Sequence, residues 1–177
     1  MSRKDKNVES VTSNTRSMFS EGFVERFDLE QYFWTEETVQ GLLHALEYYT
    51  DCCCLTTPSL GHGFYTIGRE EVVLDIDDRF SYLPKFRYFD IRFPTEQEED
   101  FHIIIMDPPF FYLPMDVIYQ AVLTITKGNT NVKILIGFLK REERILLETF
   151  RDFHLKETNF PLKYSTVKPN KWKNYAL

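Results

Sequence analysis

The sequence predicts an α/β fold built on a mostly parallel sheet, with an antiparallel hairpin of strands at its carboxyl-terminal end. Short apolar runs alternate with helical patterns along the chain, and this alternation is typical of parallel sheets. One run, Ile103–Met106, has four consecutive apolar residues, three of them β-branched, which indicates a strand buried on both faces. The 177 residues suffice for one domain with a real core and are too few for two.

Composition and charge describe a soluble globular chain without a general affinity for nucleic acid. Hydrophobic residues make up 43% of the sequence and charged residues 27%, and the formal net charge is −6. A nucleic-acid substrate would therefore need a local basic patch or a partner subunit. No apolar run approaches the ~20 residues that span a membrane, and the N-terminus lacks the apolar core of a signal peptide. We expect a cytoplasmic protein, with the nucleus as the alternative.

Cysteine and histidine spacing gives no sign of a metal site. The adjacent thiols of Cys52–Cys54 cannot form a disulfide framework, and their spacing suits no common zinc site. The four histidines show no ligand spacing either. We therefore expect buried, reduced thiols and no metal.

The N-terminal region leads into the first helix. Residues 1–20 are rich in Ser, Lys, Asn and Thr and are predicted to be a disordered lead-in, followed by one folded domain over residues 21–177. Thr35 can cap the first helix, and Phe33 and Trp34 before it fit a hydrophobic clasp on its first turn. The apolar face of this helix is formed by residues at helical spacing: Leu42, Leu43, Leu46 and Tyr49.

The first two strands carry the candidate sites for a nucleoside. Cys52–Leu60 predicts a strand followed by a turn, and it lacks the G-x-G-x-x-G pattern, which argues against an ordinary dinucleotide enzyme. The second strand lies within Glu71–Phe80 and ends in acids. A carboxylate there can accept both hydroxyls of a ribose, whereas the alternative is a solvated acidic turn. Of the two acids, we favour Asp75 over Asp77.

The apolar strand described first ends at an unusual corner. Asp107 is followed by Pro108 and Pro109, which fix the backbone and remove two N–H groups. Such a corner presents its carbonyl oxygens and the Asp107 carboxylate as acceptors, beside the rings of Phe110 and Phe111. Acceptors next to an aromatic surface suit a planar group that bears an amino nitrogen. The alternative is a rigid turn that only closes a core strand.

The remaining elements continue the alternation. An extended stretch over residues 155–167 and a last strand beginning at Trp172 are expected to form the antiparallel hairpin. The other predicted elements are strands within Phe86–Pro94 and Val132–Phe138 and helices within Val117–Ile125 and Arg141–Phe150.

A basic segment, Lys168–Lys173, precedes the end of the sequence. Lys171 and Trp172 are candidates to contact a phosphate and to stack on a base of the substrate. The alternative is a charged turn in which the tryptophan anchors the segment to the sheet.

Three motifs resemble those of one family. Asp107-Pro108-Pro109-Phe110 resembles the [D/N/S]-P-P-[Y/F/W] motif of S-adenosylmethionine-dependent methyltransferases that act on amino nitrogens. Gln31–Thr35 is similar to the Q-F-W-Y segment ahead of the first helix in one branch of these enzymes, and Leu74–Phe80 resembles the acidic second strand of that branch. From about residue 27 onward, the chain resembles the probable N6-adenine methyltransferase family. That family includes elongation factor 1A lysine methyltransferases and a zinc-knuckle ribosomal-RNA adenine methyltransferase.

The resemblance implies a Rossmann-like, class I methyltransferase fold and S-adenosylmethionine as the cofactor. For the reaction it implies Asp107, Pro108, Pro109 and Phe110, with Phe111 beside them on the substrate side. For the cofactor it implies Phe33 and Trp34 at the methionine end, Thr57, Pro58 and Ser59 in the first loop, Asp75 at the ribose, and Phe89 and Asp90 near the adenine.

The function predicted first is methyl transfer from S-adenosylmethionine to N6 of adenine in RNA or DNA. The second is methylation of a lysine in elongation factor 1A or a similar basic protein, which the acidic net charge favours. A third is a partner subunit with weak or no catalysis, because the first loop is poor in glycine. In the family that the chain resembles, the same motif serves an adenine amino group or a lysine amine, and the motif favours adenine here.

Overall fold

A computed structural model describes residues 24–177, and a five-stranded parallel sheet lies at its centre. The predicted lead-in over residues 1–20 lies outside the described residues. The strands run in the order β3-β2-β1-β4-β5, so β1 and β4 are central, as expected for strands that are apolar on both faces. The strand bounds are β1 Cys52–Leu55, β2 Val72–Asp75, β3 Phe86–Tyr88, β4 Ile103–Met106 and β5 Lys133–Ile136.

In the part of the chain that the structure describes, four α-helices flank the sheet. Thr35 caps the first as predicted, because its Oγ1 accepts a hydrogen bond of 3.2 Å from the Thr38 N–H. No helix within residues 24–177 is long and apolar enough to cross a membrane. The helix bounds are α1 Glu36–Ala45, α2 Pro58–Thr66, α3 Met115–Ile125 and α4 Glu143–Thr149.

Helix α2 replaces the turn that the sequence predicts after β1. Pro58 occupies its first turn, where a missing N–H costs nothing. Gly61 and Gly63 lower its intrinsic helix propensity, but they allow close packing. A Cβ at Gly61 would lie 2.4 Å from Val73 Cγ2, and a Cβ at Gly63 would lie 2.5 Å from a methyl of α1. Packing of α2 on the sheet and on α1 therefore overrides the weak local signal.

Two apolar layers cover the faces of the sheet. Cys52 and Cys54 face the layer under α1 and α2, whereas Cys53 faces the layer under α3 and α4. All three cysteines are free and completely buried, as the sequence predicts. Burial raises the pKa of the Cys52 thiol to about 11 and the pKa of Cys54 well above its ordinary value.

An antiparallel pair of short strands completes the predicted fold class, which is confirmed. β6, Phe138–Leu139, pairs with β7, Tyr175–Ala176. The last strand begins three residues later than predicted, because Pro169 starts a 3-10 helix that runs to Asn174. Residues 155–167 do not supply its partner; they cross the molecule as an irregular segment joined to Trp34 by one antiparallel bridge at Tyr164.

Candidate active site

A cleft runs along the carboxyl-terminal edge of the parallel sheet, where ligands bind in open α/β folds. It consists of two cavities that share lining residues, among them Leu29, Thr56, Ile76 and Pro109. We call it the edge cleft. The structure places every position proposed for the cofactor on its wall: Phe33, Trp34, Thr57, Pro58, Ser59, Asp75, Phe89 and Asp90.

The loop between β1 and α2 forms the floor of the edge cleft. Thr56 has a φ of 56°, a left-handed conformation that β-branched residues rarely adopt. Its N–H bonds to the Leu74 carbonyl at 3.0 Å, and the Thr57 hydroxyl donates to the Ile105 carbonyl over 3.2 Å. These bonds tie the loop to the two strands beside it. The loop thus makes a tight turn without the glycine that a dinucleotide fold would use.

The two acids at the end of β2 have separate roles: Asp75 is its last residue and Asp77 follows it. Asp75 is buried beside the cleft and accepts a hydrogen bond of 2.8 Å from the Asp77 N–H, and desolvation raises the pKa of Asp75 to about 7. Although burial opposes it, hydrogen bonds from Arg79 and Gln31 lower the pKa of Asp77. Asp77 therefore anchors the segment ahead of α1, residues 24–34, which we call the N-terminal segment. Asp75 is the acid that lines the cleft.

The segment after β3 forms the other end of the cleft. Phe89 is buried, and Asp90 forms a 2.6 Å ion pair with Arg92. The hydrogen bonds from Arg92 lower the pKa of Asp90. Phe89 thus offers an apolar ring face and Asp90 an ionised acceptor, a combination that suits an adenine base.

The N-terminal segment closes over the cleft through Glu30, a residue that sequence reasoning missed. The two Glu30 carboxylate oxygens accept hydrogen bonds from the backbone N–H groups of Phe111 and Tyr112, at 3.0 and 3.1 Å. We call this pair of bonds the Glu30 clasp. Desolvation in the clasp raises the pKa of Glu30. Glu30 also has a left-handed φ of 51°, so the chain turns sharply at this point.

Phe33 and Trp34 are part of the core as well as of the cleft wall. Phe33 packs edge-on against Phe80 with ring centroids 5.9 Å apart. Trp34 is 1% exposed, and its Nε1–H completes no hydrogen bond within the described residues. The predicted hydrophobic clasp and the predicted cleft wall are therefore the same two side chains. Trp34 contributes a buried N–H donor that lies beside the Tyr164 hydroxyl without completing a hydrogen bond of normal geometry.

Asp107 lies where β4 ends. The Tyr164 hydroxyl donates a 3.0 Å hydrogen bond to Asp107 Oδ1. Desolvation raises the pKa of Asp107 to about 8; the Tyr164 hydrogen bond opposes this rise and the nearby Glu30 carboxylate adds to it. Gly137 leaves room for the acid, since a Cβ there would lie 2.7 Å from Asp107 Oδ1.

A third cavity adjoins the edge cleft at Asp107. Glu30, Tyr32 and Asp107 border both spaces, so the acid lies at their junction. The centroid of the Phe110 ring lies 4.5 Å from that of Phe138 and 5.4 Å from that of Phe111. We call this space the aromatic cavity, and its walls are Glu30, Tyr32, Asp107, Pro108, Phe110, Phe111, Tyr164 and Tyr175.

Lys171 and Trp172 do not line the aromatic cavity. Trp172 is half-buried, and its Nε1–H donates to the Val167 carbonyl over 3.0 Å, which fixes the ring against the preceding turn. Lys171 is exposed. Their contact with a substrate stays a prediction.

The arrangement brings together two spaces of different chemistry. The edge cleft offers an adenosine-type ligand an acid for its hydroxyls, an aromatic ring for its base and a buried N–H donor. The aromatic cavity offers a flat or cationic amine two acids and several rings. Asp107 can therefore orient an amino group towards a reactive group held in the cleft.

Comparison with known proteins agrees with this arrangement. The sequence pattern of the family described as Probable N6-adenine methyltransferase matches residues 25–177. No curated protein matches the chain. The match spans nearly all of the chain and includes every strand and helix that forms the two spaces, and on this evidence the chain belongs to the probable N6-adenine methyltransferase family.

Proposed function

We propose that this protein is an S-adenosylmethionine-dependent N-methyltransferase that methylates N6 of adenine in RNA or DNA. The observation that carries the proposal is the position of Asp107 at the junction of the edge cleft and the aromatic cavity. In methyl transfer the nitrogen lone pair must point at the methyl group of the donor. A hydrogen-bond acceptor at that junction can fix this orientation by holding the N–H groups of the amine. The description of the family supports adenine as the substrate.

The residues of the edge cleft fit S-adenosylmethionine. The buried Trp34 Nε1–H lies beside the Tyr164 hydroxyl but completes no hydrogen bond of normal geometry with it, so it can donate to the cofactor's carboxylate. Asp75 can accept hydrogen bonds from the ribose hydroxyls, and Phe89 can pack on the adenine ring. When bound, the cofactor supplies a methyl group on a positively charged sulfur. A neutral amine can attack that methyl carbon, and the sulfur leaves as a neutral thioether.

The protein's part in the reaction is to position and polarise the amine. The Asp107 carboxylate and the Pro108 carbonyl would accept hydrogen bonds from the two N–H groups of the amine and so orient the nitrogen lone pair. The Pro108 carbonyl already accepts from the Phe110 N–H, and its second lone pair remains for the amine. The Tyr164 hydrogen bond holds the carboxylate in place. The rings of Phe110 and Phe111 would hold the base, which must be unpaired or flipped to enter. Such positioning and electrostatic orientation are sufficient for an in-line displacement.

Lysine is the second candidate substrate, and the walls of the aromatic cavity favour it. Two carboxylates, Glu30 and Asp107, and the rings of Tyr32, Tyr164 and Tyr175 surround the space. Carboxylates and aromatic faces both attract an ammonium group. With a pKa of about 8, Asp107 is also closer in basicity to an ammonium than an ordinary aspartate, so it could take the proton that lysine must lose.

The experiment that tests the proposal is methyl transfer from tritiated S-adenosylmethionine into a cell extract. Label that nuclease removes supports adenine, and label that protease removes supports lysine. The inactive variant is Asp107→Ala, and the matched control is Asp100→Ala, an exposed acid remote from both spaces. Label that is equal for wild type and Asp107→Ala would overturn the assigned role of the acid.

Calorimetry separates both enzymes from a catalytically weak partner subunit. We expect wild type and Asp107→Ala to bind S-adenosylmethionine with similar affinity, because the residues proposed to hold the cofactor, such as Trp34, Asp75 and Phe89, are unchanged. A wild-type protein that does not bind the cofactor would contradict both catalytic proposals and leave the partner subunit standing.

A further inference from the structure

We propose that a lysine-rich groove beside the aromatic cavity binds the phosphate backbone of a single-stranded nucleic acid and leads it to Asp107. This inference rests on the proposed function and specifies how an acidic protein can hold a polyanion. Charge is strongly segregated along the chain. Residues 154–177 contain five lysines and a single acidic residue, whereas the protein as a whole has a net charge of −6.

The groove lies between β7, Lys140 just after β6, and the irregular segment that crosses the molecule. It adjoins the aromatic cavity, because Tyr175 borders both spaces. The Tyr175 ring lies 4.6 Å from the Tyr164 ring, and the Tyr164 hydroxyl bonds to Asp107. The residues that carry the inference are Lys140, Phe160, Lys163, Trp172, Lys173 and Tyr175.

The cations at the groove differ in their availability. Lys163 pairs with Glu37 at 2.6 Å and Lys140 pairs with Glu157 at 2.9 Å. In contrast, Lys173 at the groove is exposed, and so are Lys171 on the 3-10 helix that carries it and Lys168 at the cap of that helix. None of these three lysines has an acidic partner within residues 24–177. Three uncompensated charges therefore lie within six positions of the chain, where phosphates can neutralise them.

The rings beside these lysines favour a nucleic acid over an acidic protein. Trp172 is half-buried and fixed by its bond to Val167, and the Lys163 Nζ lies 5.9 Å from its ring centroid. At the rim of the aromatic cavity the Arg141 guanidinium lies 5.8 Å from the Phe111 ring. Cations beside fixed aromatic rings are the pattern that binds single strands, because phosphates meet the charges while bases stack on the rings. An acidic peptide would use only the charges.

The test measures binding of the full chain to a fluorescein-labelled single-stranded RNA of about 12 nucleotides, by anisotropy over a range of salt concentrations. The variant Lys168→Gln/Lys171→Gln/Lys173→Gln removes the three free charges. The matched control Lys85→Gln/Arg144→Gln/Arg151→Gln removes three exposed charges that line neither the groove nor the two spaces of the active site.

We expect the groove variant to reduce the slope of log affinity against log salt by about 2, since each contact with a single strand contributes ~0.7. Affinity at about 0.1 M salt should then fall on the order of a hundredfold, and the control should keep the wild-type slope. A single-stranded DNA of the same sequence should bind alike if only backbone and stacking are read. Equal slopes for wild type and groove variant, or competition by polyglutamate as strong as by unlabelled RNA, would overturn the groove.

Two further readouts separate this inference from the proposed function. Binding of S-adenosylmethionine by the groove variant, unchanged from wild type, shows that the cofactor site is intact. If the groove variant methylates RNA as fast as wild type, the adenine activity stands and the proposal that the groove binds the nucleic acid is refuted. If the salt slopes are as expected but the enzyme transfers label only to protein substrates, the groove's binding of nucleic acid stands and the adenine activity is refuted.

Discussion

The Tyr164 hydroxyl reaches Asp107 Oδ1 at 3.0 Å, although 57 positions of the chain separate the two residues. This bond joins the irregular C-terminal segment to the corner after β4. Tyr164 itself also forms the β-bridge to Trp34, and its ring centroid lies 4.6 Å from that of Tyr175. The acid proposed to orient the amine is therefore held by a residue of the segment that lines the lysine-rich groove.

Replacing Tyr164 with phenylalanine should impair transfer most at neutral pH. The hydroxyl opposes the rise in the pKa of Asp107 that desolvation causes, so its removal should raise that pKa further above about 8. Less carboxylate would then be present near neutral pH, and we expect the rate there to fall about tenfold, as for loss of a hydrogen bond to a charged group. A pH–rate profile checks this, because its inflection should move to higher pH. Tyr175→Phe is the control, and inflections that coincide in both variants would contradict the role of the bond.

Replacing Asp107 with asparagine should stabilise the protein as pH rises. Burial raises the pKa of Asp107 to about 8, so the folded state binds this proton more tightly than the unfolded chain. The stability that this proton contributes is complete below about pH 4 and is lost as pH rises through about 8. The asparagine side chain is uncharged at every pH, and its oxygen can still accept from Tyr164. The gain in Tm over wild type should therefore be larger at about pH 8.5 than at about pH 5. Asp100→Asn, at an exposed site, should show no such trend.

Replacing Glu30 with glutamine should weaken cofactor binding. An amide has one acceptor oxygen, so one of the two backbone N–H groups in the Glu30 clasp would lose its partner. Loss of about 1 kcal/mol corresponds to a roughly fivefold weaker Kd for S-adenosylmethionine. Calorimetry measures the Kd, and Glu36→Gln at the exposed start of α1 is the control. An unchanged Kd for Glu30→Gln would show that the clasp does not hold the cleft closed.

At Thr56, glycine should be better tolerated than alanine. Both substitutions remove the hydroxyl, but only glycine adopts the left-handed φ of 56° without a steric cost. We expect Thr56→Gly to be more stable to urea than Thr56→Ala by about 1 kcal/mol. The order should reverse at Thr124 in α3, where glycine weakens a helix. Alanine above glycine at both sites would mean that the loop after β1 is not strained.

The parallel sheet could be predicted because its strands are short apolar runs with clear ends. Ile103–Met106 and Cys52–Leu55 are buried on both faces, so continuous hydrophobicity was a sufficient signal. The residues proposed for the cofactor lie on one cleft for the same reason, since positions such as Ser59, just after β1, and Asp75, the last residue of β2, lie at one edge of the sheet.

The contacts that complete the site leave no local pattern in the sequence. Tyr164 lies in an irregular segment between two polar residues, and Glu30 bonds to backbone groups 81 and 82 positions away. Gly137 follows β5 and matters only because Asp107 packs against it. Helix α2 was missed because its glycines have poor helix propensity and a useful shape. Such features depend on tertiary packing, which periodicity and composition do not encode.

The thiols of β1 give the protein an internal reporter of its own opening. The thiolate is the form that alkylating reagents attack, and in the folded state burial both raises the pKa of Cys52 to about 11 and removes reagent access. Labelling must then wait until the central strand separates from its neighbours. The rate of alkylation, measured with and without S-adenosylmethionine or RNA, therefore reads the free energy of that opening directly and shows how firmly each ligand closes the sheet.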